Sequence, residues 1–413
     1  MNEIKALYDQ YVVPTYGRFN LGFESGSGSR LRGFDGRDYL DMGTGIAVCS
    51  LGHGHPEIAD TLAEQARRLV HVSNLYYTEP QALLAKKLVE LTGSGKAFFC
   101  NSGAEANEGL YKLARRFGHD EGRFEIITTN ASFHGRTLGG IAATGQEKVK
   151  IGFGPLMPGF TQVPYNSLEA IESAITPATV AVLIEGVQGE GGITPATPEY
   201  LTGLRKLCDR HKLLLMMDAI QCGFFRTGAF MSYQTILAGN PGLETFQPDA
   251  VSMAKSLGGG LPIGAFWVRA PYADLLGPGS HGTTFGGTPL VCSVALKILE
   301  IIERDGLASN ARTLGSMLKT RLEALMARHP KIITQIRGLG FMLGIEVAED
   351  IPDFVGQTSS ASIQMCNRLH EAGLITIPAG TRVVRFLPAL NLTKEDAMEA
   401  LRIFGDTVAT LDN

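Results

Sequence analysis

Short apolar runs alternate with amphipathic stretches through the middle of the chain. AFFC (97–100) reads as a strand, followed by the turn NSG and an amphipathic helix, AEANEGLYKLARRF. FEIITT (124–129) and VAVLIE (180–185) are further strand runs, and a glycine loop then leads into the helical pattern PEYLTGLRKLCDRH. KLLLMMD (212–218), DAVSMAK (249–255) and GAFWV (264–268) continue the series. Buried strands alternating with helices imply a mostly parallel α/β sheet. Ligands of such sheets gather at the carboxyl ends of strands, where Asp218 and Lys255 stand in this reading. A long helix-like stretch (289–327) leads away from this region. Beyond it the pattern becomes IRGLGFMLGIEVA, a helix near 360–372, TRVVRFLPAL and a last helix, KEDAMEALRIFGDTVATL. That order is α+β. The expected division is a large domain over 56–307 and a small α+β domain over 308–413, which a hairpin-bearing N-terminal segment (1–55) joins.

Composition narrows the class. Hydrophobic residues make up 44% of the 413, as in a packed globular protein, and the length suits two domains. The net charge of −4 offers no electrostatic footprint for nucleic acid or an anionic membrane. No apolar run approaches the roughly 18 residues of a membrane-spanning helix. The N-terminus MNEIKALYDQ carries charges where a signal peptide needs an apolar stretch. The six cysteines are scattered with no C-x-x-C pair, which suits buried thiols in a reducing cytoplasm rather than zinc or a redox dithiol. Glycine is the outlier, with 50 residues where the usual roughly 7% would give about 29. The excess points to places where backbone turns tightly or approaches a ligand.

Three positions suggest chemistry. Asn101-Ser102-Gly103-Ala104 lies between a strand and a helix, whose free N–H groups and dipole would bind an anion. Taken alone, the same residues read more readily as an ordinary strand-to-helix turn with a Ser or Asn cap. Asp218 ends a buried strand, where a carboxylate needs a partner; it could hold a protonated heteroaromatic nitrogen or simply cap a helix. Lys255 follows an apolar strand and precedes Ser256-Leu257-Gly258-Gly259-Gly260. Desolvation there would lower its pKa and suit Schiff-base chemistry, the alternative being a lysine that snorkels to solvent. Together, an anion cradle, a strand-end Asp and a strand-end Lys are what pyridoxal phosphate requires. His53 and His55 in GHGHP read as a structural turn, and no metal site is expected. Gly26-Ser27-Gly28 lacks the strand–turn–helix setting of a dinucleotide site.

From about Pro14 to about Leu401 the sequence resembles the class III (ω-amino-acid) aminotransferases of fold type I, above all their acetylornithine/ornithine branch. The segments that carry the likeness are GIAVCSLGHGHPEI, SNLYYTEPQ, FFCNSGAEANE, SFHGRT, IEGVQGEGG, LLMMDAIQCG, AKSLGGGLPIGAF, HGTTFGG and RGLGFMLGIE. The resemblance implies a seven-stranded-type, mostly parallel sheet flanked by helices, with pyridoxal 5′-phosphate as cofactor. It makes Lys255 the Schiff-base lysine, Asp218 the partner of the pyridine nitrogen and Gln221 the neighbour of the phenolic oxygen. Ser102, Gly103 and Ala104 match the phosphate cradle, Phe133 the ring-stacking aromatic, and Glu185 a second acid near the cofactor. Arg385 matches the arginine for the α-carboxylate of glutamate and 2-oxoglutarate, Glu190 the acid that masks it, and Arg136 an arginine for a second carboxylate. Thr284 matches a phosphate ligand given by the partner subunit, so a homodimer (or a dimer of dimers) is implied.

The implied reaction moves the ω-amino group of N-acetylornithine or ornithine to 2-oxoglutarate, giving a semialdehyde and glutamate. 4-Aminobutyrate or another ω-amine as donor, an aminomutase or racemase of the same fold, and a non-catalytic cofactor-binding protein are the alternatives. Tyr76, Tyr77 and Tyr16 are further candidates for the pocket wall. The sequence departs from the family at Ala219, where Glu is usual, at Phe225, where Gly precedes the arginine, and at Thr283 and Phe285, usually Ser and Tyr. Bulk at Phe225 leads us to expect altered substrate specificity there.

Overall fold

The computed structural model describes residues 1–241 and 246–412. Its centre is a seven-stranded sheet. In chain order the strands are β1 (Gly95–Cys100), β2 (Glu125–Thr129), β3 (Phe160–Val163), β4 (Thr179–Glu185), β5 (Leu214–Asp218), β6 (Ala250–Met253) and β7 (Gly264–Arg269). Across the sheet they run β1-β7-β6-β5-β4-β2-β3. All neighbours are parallel except β7, which is antiparallel to both β6 and β1. The middle strands β4 and β5 are TVAVLIE and LLMMD, buried at every position. Such unbroken apolar runs belong in a sheet covered on both faces. Phe160–Val163 lies at the edge with partly exposed positions, so its alternation is too weak to read as a strand beforehand.

The helix α1 (Gly103–Phe117) covers one face. Ser102 caps it by accepting a hydrogen bond from the Glu105 N–H, and Ala106, Leu110, Leu113 and Ala114 form its buried stripe. Buried Asp249 fastens the sheet from beneath: it accepts from the Leu215 N–H at 2.8 Å and pairs with Arg205 at 2.8 Å and Arg269 at 2.6 Å. The helix-like stretch 289–327 is two helices, Pro289–Arg304 and Leu307–Arg328. Gly306, at φ 64°, breaks them apart.

Beyond that break a four-stranded antiparallel sheet has the order Ile333–Leu339, Met342–Val347, Val383–Phe386, Ile377–Ala379. The strands Phe23–Ser27, Arg30–Gly33 and Asp38–Asp41 form a meander, and the last of them pairs in parallel with Leu374–Ile375. An N-terminal helix, Asn2–Tyr11, precedes it with no buried residue. Among the described residues no helix is long and apolar enough to cross a membrane.

Candidate active site

A cavity of about 470 Å³ opens at the carboxyl ends of the parallel strands. Ser102, Gly103, Ala104, Phe133, Arg136, Glu185, Glu190, Asp218, Gln221 and Lys255 all line it. The sequence placed these residues in one site from segments as far apart as 102 and 255, and the fold brings them together.

Asp218 is the last residue of β5 and is 3% exposed. Its Oδ1 accepts from the Ile220 N–H at 3.0 Å. Its Oδ2 accepts from Asn107 Nδ2 at 2.8 Å and faces His134 Nδ1 at 2.9 Å. Asn107 is itself fixed, accepting from Ser252 Oγ at 2.7 Å and donating to the His134 carbonyl at 2.9 Å. Sequence reading missed Asn107, His134 and Ser252. Two signals were available. Asn107 interrupts the buried stripe of α1 with a polar side chain, and both Asn107 and His134 lie in matched segments, FFCNSGAEANE and SFHGRT.

Lys255 lies two residues beyond β6 rather than at its end, in left-handed backbone at φ 47°. A non-glycine residue held there is uncommon and marks a site that the surroundings over-determine. Burial lowers its ammonium below the ordinary lysine value; Glu190 works against that shift, and Arg385 adds to it. Glu185 is buried and accepts from the N–H groups of Phe133 (3.0 Å) and Gly189 (2.9 Å). Desolvation raises its carboxyl well above the usual range, and Asp218 raises it further against the pull of His134.

Arg385, in Val383–Phe386, is 1% exposed. It pairs with Glu190 at 2.5 Å, donates to Gln221 Oε1 at 3.2 Å and to the Pro378 carbonyl at 2.8 Å. Gln221 therefore reaches toward the arginine as well as into the cavity. Burial pushes the Glu190 carboxyl up, but Arg385 outweighs it and the net shift is downward. Arg136 is exposed at the mouth, its guanidinium 5.5 Å from the centre of the Phe133 ring.

Other residues stand elsewhere. Thr284 is exposed and does not line its own chain's cavity, and the same holds for Tyr16, Tyr76 and Tyr77. The expectation that Phe225 shapes specificity is corrected. Phe225 is 8% exposed, outside the cavity, and packs its ring 5.3 Å from Phe230 and 6.0 Å from Phe224. Ala219 is also buried off the cavity wall, its N–H bonded to the Ser252 carbonyl at 2.9 Å.

Residues 11–408 match the family described as aminotransferase class-III. An acetylornithine aminotransferase of Gloeobacter violaceus is 42% identical over 411 residues, 99% of this chain and 98% of that protein. Acetylornithine aminotransferase 1 of Bordetella bronchiseptica is 44% identical over 392 residues, 94% of this chain and 95% of that protein. Among solved structures, the ornithine aminotransferase of Toxoplasma gondii ME49 superposes with a TM-score of 0.91 at 30% identity, covering 99% of this chain and 95% of that one. The N-acetylornithine aminotransferase of Stenotrophomonas maltophilia K279a gives 0.81 at 32% identity, with 98% of each chain covered.

The chain belongs to the class III aminotransferases. It is an enzyme of fold type I that works with pyridoxal phosphate on an amino donor and a keto acid. The residues present fit that cofactor. The first turn of α1 faces the cavity at Ser102, Gly103 and Ala104, and backbone is kept bare around it. A Cβ on Gly103 would lie 2.8 Å from the Ile220 side chain, and one on Gly264 would lie 2.3 Å from the Ser102 carbonyl. Across the cavity stand a buried carboxylate and an amine of lowered basicity.

Proposed function

We propose that this enzyme transfers the ω-amino group of N-acetylornithine or ornithine to 2-oxoglutarate, leaving a semialdehyde and glutamate. The observation that carries the reading is the ion pair of buried Arg385 with half-buried Glu190, both near Lys255. An enzyme that takes two different substrates in turn must bind an α-carboxylate in one half-reaction and spare it in the other. Arg385 is the carboxylate receptor for 2-oxoglutarate and glutamate. Glu190 neutralises it while the ω-amine of the donor is at the reacting end. The full-length likeness to acetylornithine and ornithine aminotransferases supports the choice of donor.

Pyridoxal phosphate, when bound, supplies an aldehyde that condenses with amines and a ring that accepts an electron pair. The chain does the rest. The N–H groups at the start of α1 would hold its phosphate. The Asp218 carboxylate, fixed by Asn107 and His134, would keep a proton on its ring nitrogen. Phe133 lines the cavity where an aromatic ring would lie. Lys255, its basicity lowered by burial, would be the amine that anchors the cofactor and afterwards the base that moves the substrate's proton. Arg136, for which no ion pair is recorded among the described residues, offers a second carboxylate site at the mouth.

Lys255→Ala is expected to abolish glutamate formation from 2-oxoglutarate, assayed with a panel of N-acetylornithine, ornithine and 4-aminobutyrate as donors. Retained turnover would remove Lys255 from the chemistry, and a strong preference for 4-aminobutyrate would overturn the choice of donor. We further propose a homodimer with Thr284 completing the partner's phosphate site. Leu75, Tyr76, Tyr77 and Phe285 form a run of exposed apolar side chains near it, Leu75 at 84% exposure. The six unpaired cysteines suit a reducing cytoplasm.

A further inference from the structure

The loop that carries Glu190 lies across one row of the four-stranded sheet. In that row Arg337 of Ile333–Leu339 is paired with Gly344 of Met342–Val347, and Gly344 with Arg385 of Val383–Phe386. Residues directly opposite in neighbouring strands point to the same face. Two arginines therefore share one face, with a bare glycine between them.

Three contacts fit the loop onto this row. Glu190 pairs with Arg385 at 2.5 Å. Ile193 fills the gap over the glycine: a Cβ on Gly344 would lie 2.8 Å from the Ile193 Cβ. Arg337 Nε donates to the Gly192 carbonyl at 2.6 Å. Arg337 is held in its turn. Its Nη1 donates to Gln335 and pairs with Glu346 at 2.5 Å, and Glu346 also meets Arg382 at 3.0 Å.

The backbone of the loop records how tightly it is held. Gly192 has φ 89°, and a Cβ there would lie 2.9 Å from Arg337 Nη2. Ile193 is fully buried at φ 57°, a genuine outlier for a β-branched residue. Such a conformation persists only where the surroundings impose it. At the other end of the loop, Gln188 Nε2 donates to the Asn130 carbonyl at 2.8 Å and the Gly189 N–H to Glu185 at 2.9 Å. Glu190 and Gly191 thus lie between two fixed ends. Arg337 itself stands off the cavity wall.

We propose that Arg337 is a positioning residue for amino transfer: by pinning Gly192 it keeps Glu190 in reach of Arg385. The inference rests on the reading that Arg385 receives the α-carboxylate and Glu190 masks it. With both ends of the loop fixed, a rotation of the Glu190 side chain about a stationary Cα is enough to expose Arg385 and to cover it again. Without the clasp at Gly192 the Glu190 backbone wanders, and the mask returns less often. Arg385 then stands bare in both half-reactions. That favours 2-oxoglutarate and handicaps the ω-amine, which arrives as a cation and meets an uncompensated guanidinium.

The test follows the two half-reactions of the holoenzyme separately, one with the ω-amine donor and one with 2-oxoglutarate. Arg337→Gln is expected to lower kcat/KM for the donor about tenfold and to lower KM for 2-oxoglutarate about threefold. Hydrogen exchange at the amides of 189–193 should quicken about tenfold in the same variant. Arg337→Lys keeps one donor for the Gly192 carbonyl and should fall between. Gly344→Ala presses on Ile193 from the sheet and should give the same split, so it decides the matter if Arg337→Gln does not fold. Glu190→Gln separates the two claims. It should show the split by itself, and adding Arg337→Gln to it should change neither constant further. If Glu190→Gln splits the substrates while Arg337→Gln affects both equally, the proposal is overturned and the reading of the site stands. An Arg337→Gln effect that persists undiminished in the double variant overturns it too. No split in Glu190→Gln overturns the reading, and the proposal with it.

Discussion

At the scale of single residues, the position with the most unusual side chain turns out to lie away from the chemistry. Phe225 occupies left-handed backbone at φ 64°, as does Phe224 at φ 54°. The family's glycine at 225 would have served that conformation without strain. Here the ring packs into the core instead, so its burial offsets the backbone cost. Phe225→Ala is expected to lower stability by about 3–5 kcal/mol in a denaturant titration while leaving relative rates with different donors unchanged. A change in donor preference without loss of stability would return Phe225 to the pocket. His53 provides a second, pH-resolved test. Its pKa is raised from 6.5 to about 9 in the folded chain, chiefly by Asp41. A raised pKa means that folding favours the protonated form. The stabilisation is therefore complete below about 6.5 and is lost as pH rises through about 9. The difference in thermal midpoint between wild type and His53→Gln should accordingly be widest in acid and close above that value. Lys255 and Asp218 were legible in sequence because each is a polar residue at the end of an apolar run. His134 was not: nothing in the local pattern reveals that its ring meets a carboxylate 84 residues away.

At the scale of elements, the apolar runs gave the central strands because β4 and β5 are buried on both faces and carry no competing pattern. They did not give β3, whose edge position leaves it half polar, or the direction of β7. A run such as GAFWV has the same composition whichever way it points; pairing alone decides it. That antiparallel strand matters to the site. Gly264 opens β7 directly under the turn that begins α1, and its missing side chain lets the Ser102 carbonyl approach. Gly264→Ala would drive a methyl into backbone rather than into a flexible side chain. Displacing that turn is expected to cost about 1–3 kcal/mol and to shift the N–H groups of α1. The readout is a weaker affinity for pyridoxal phosphate, measured by titrating the apoenzyme and following fluorescence. An unchanged affinity would show that the turn does not set the cradle.

At the scale of the whole molecule, Thr284 is exposed and lies outside the cavity of its own chain. In the proposed homodimer, Thr284→Ala should loosen the cofactor of the partner's site and leave the lysine of its own chain untouched. Mixing inactive Lys255→Ala subunits with Thr284→Ala subunits makes this visible. A heterodimer carries one site with Thr284 donated and Lys255 intact, so activity should reappear; no recovery after verified subunit exchange would count against the shared site. The order in which the chain is made has its own consequence. The seven-stranded sheet is complete within residues 95–269. Yet Asp38–Asp41 pairs with Leu374–Ile375, and Thr44 is tied to Leu387. Contacts separated by more than 300 residues close last and slowly. On the ribosome, the sheet with Asp218 and Lys255 can form long before Arg385 has been translated. The residues proposed to hold the cofactor are thus available to a nascent chain, while Arg385, the proposed carboxylate receptor, is added near the end of synthesis and only then meets Glu190.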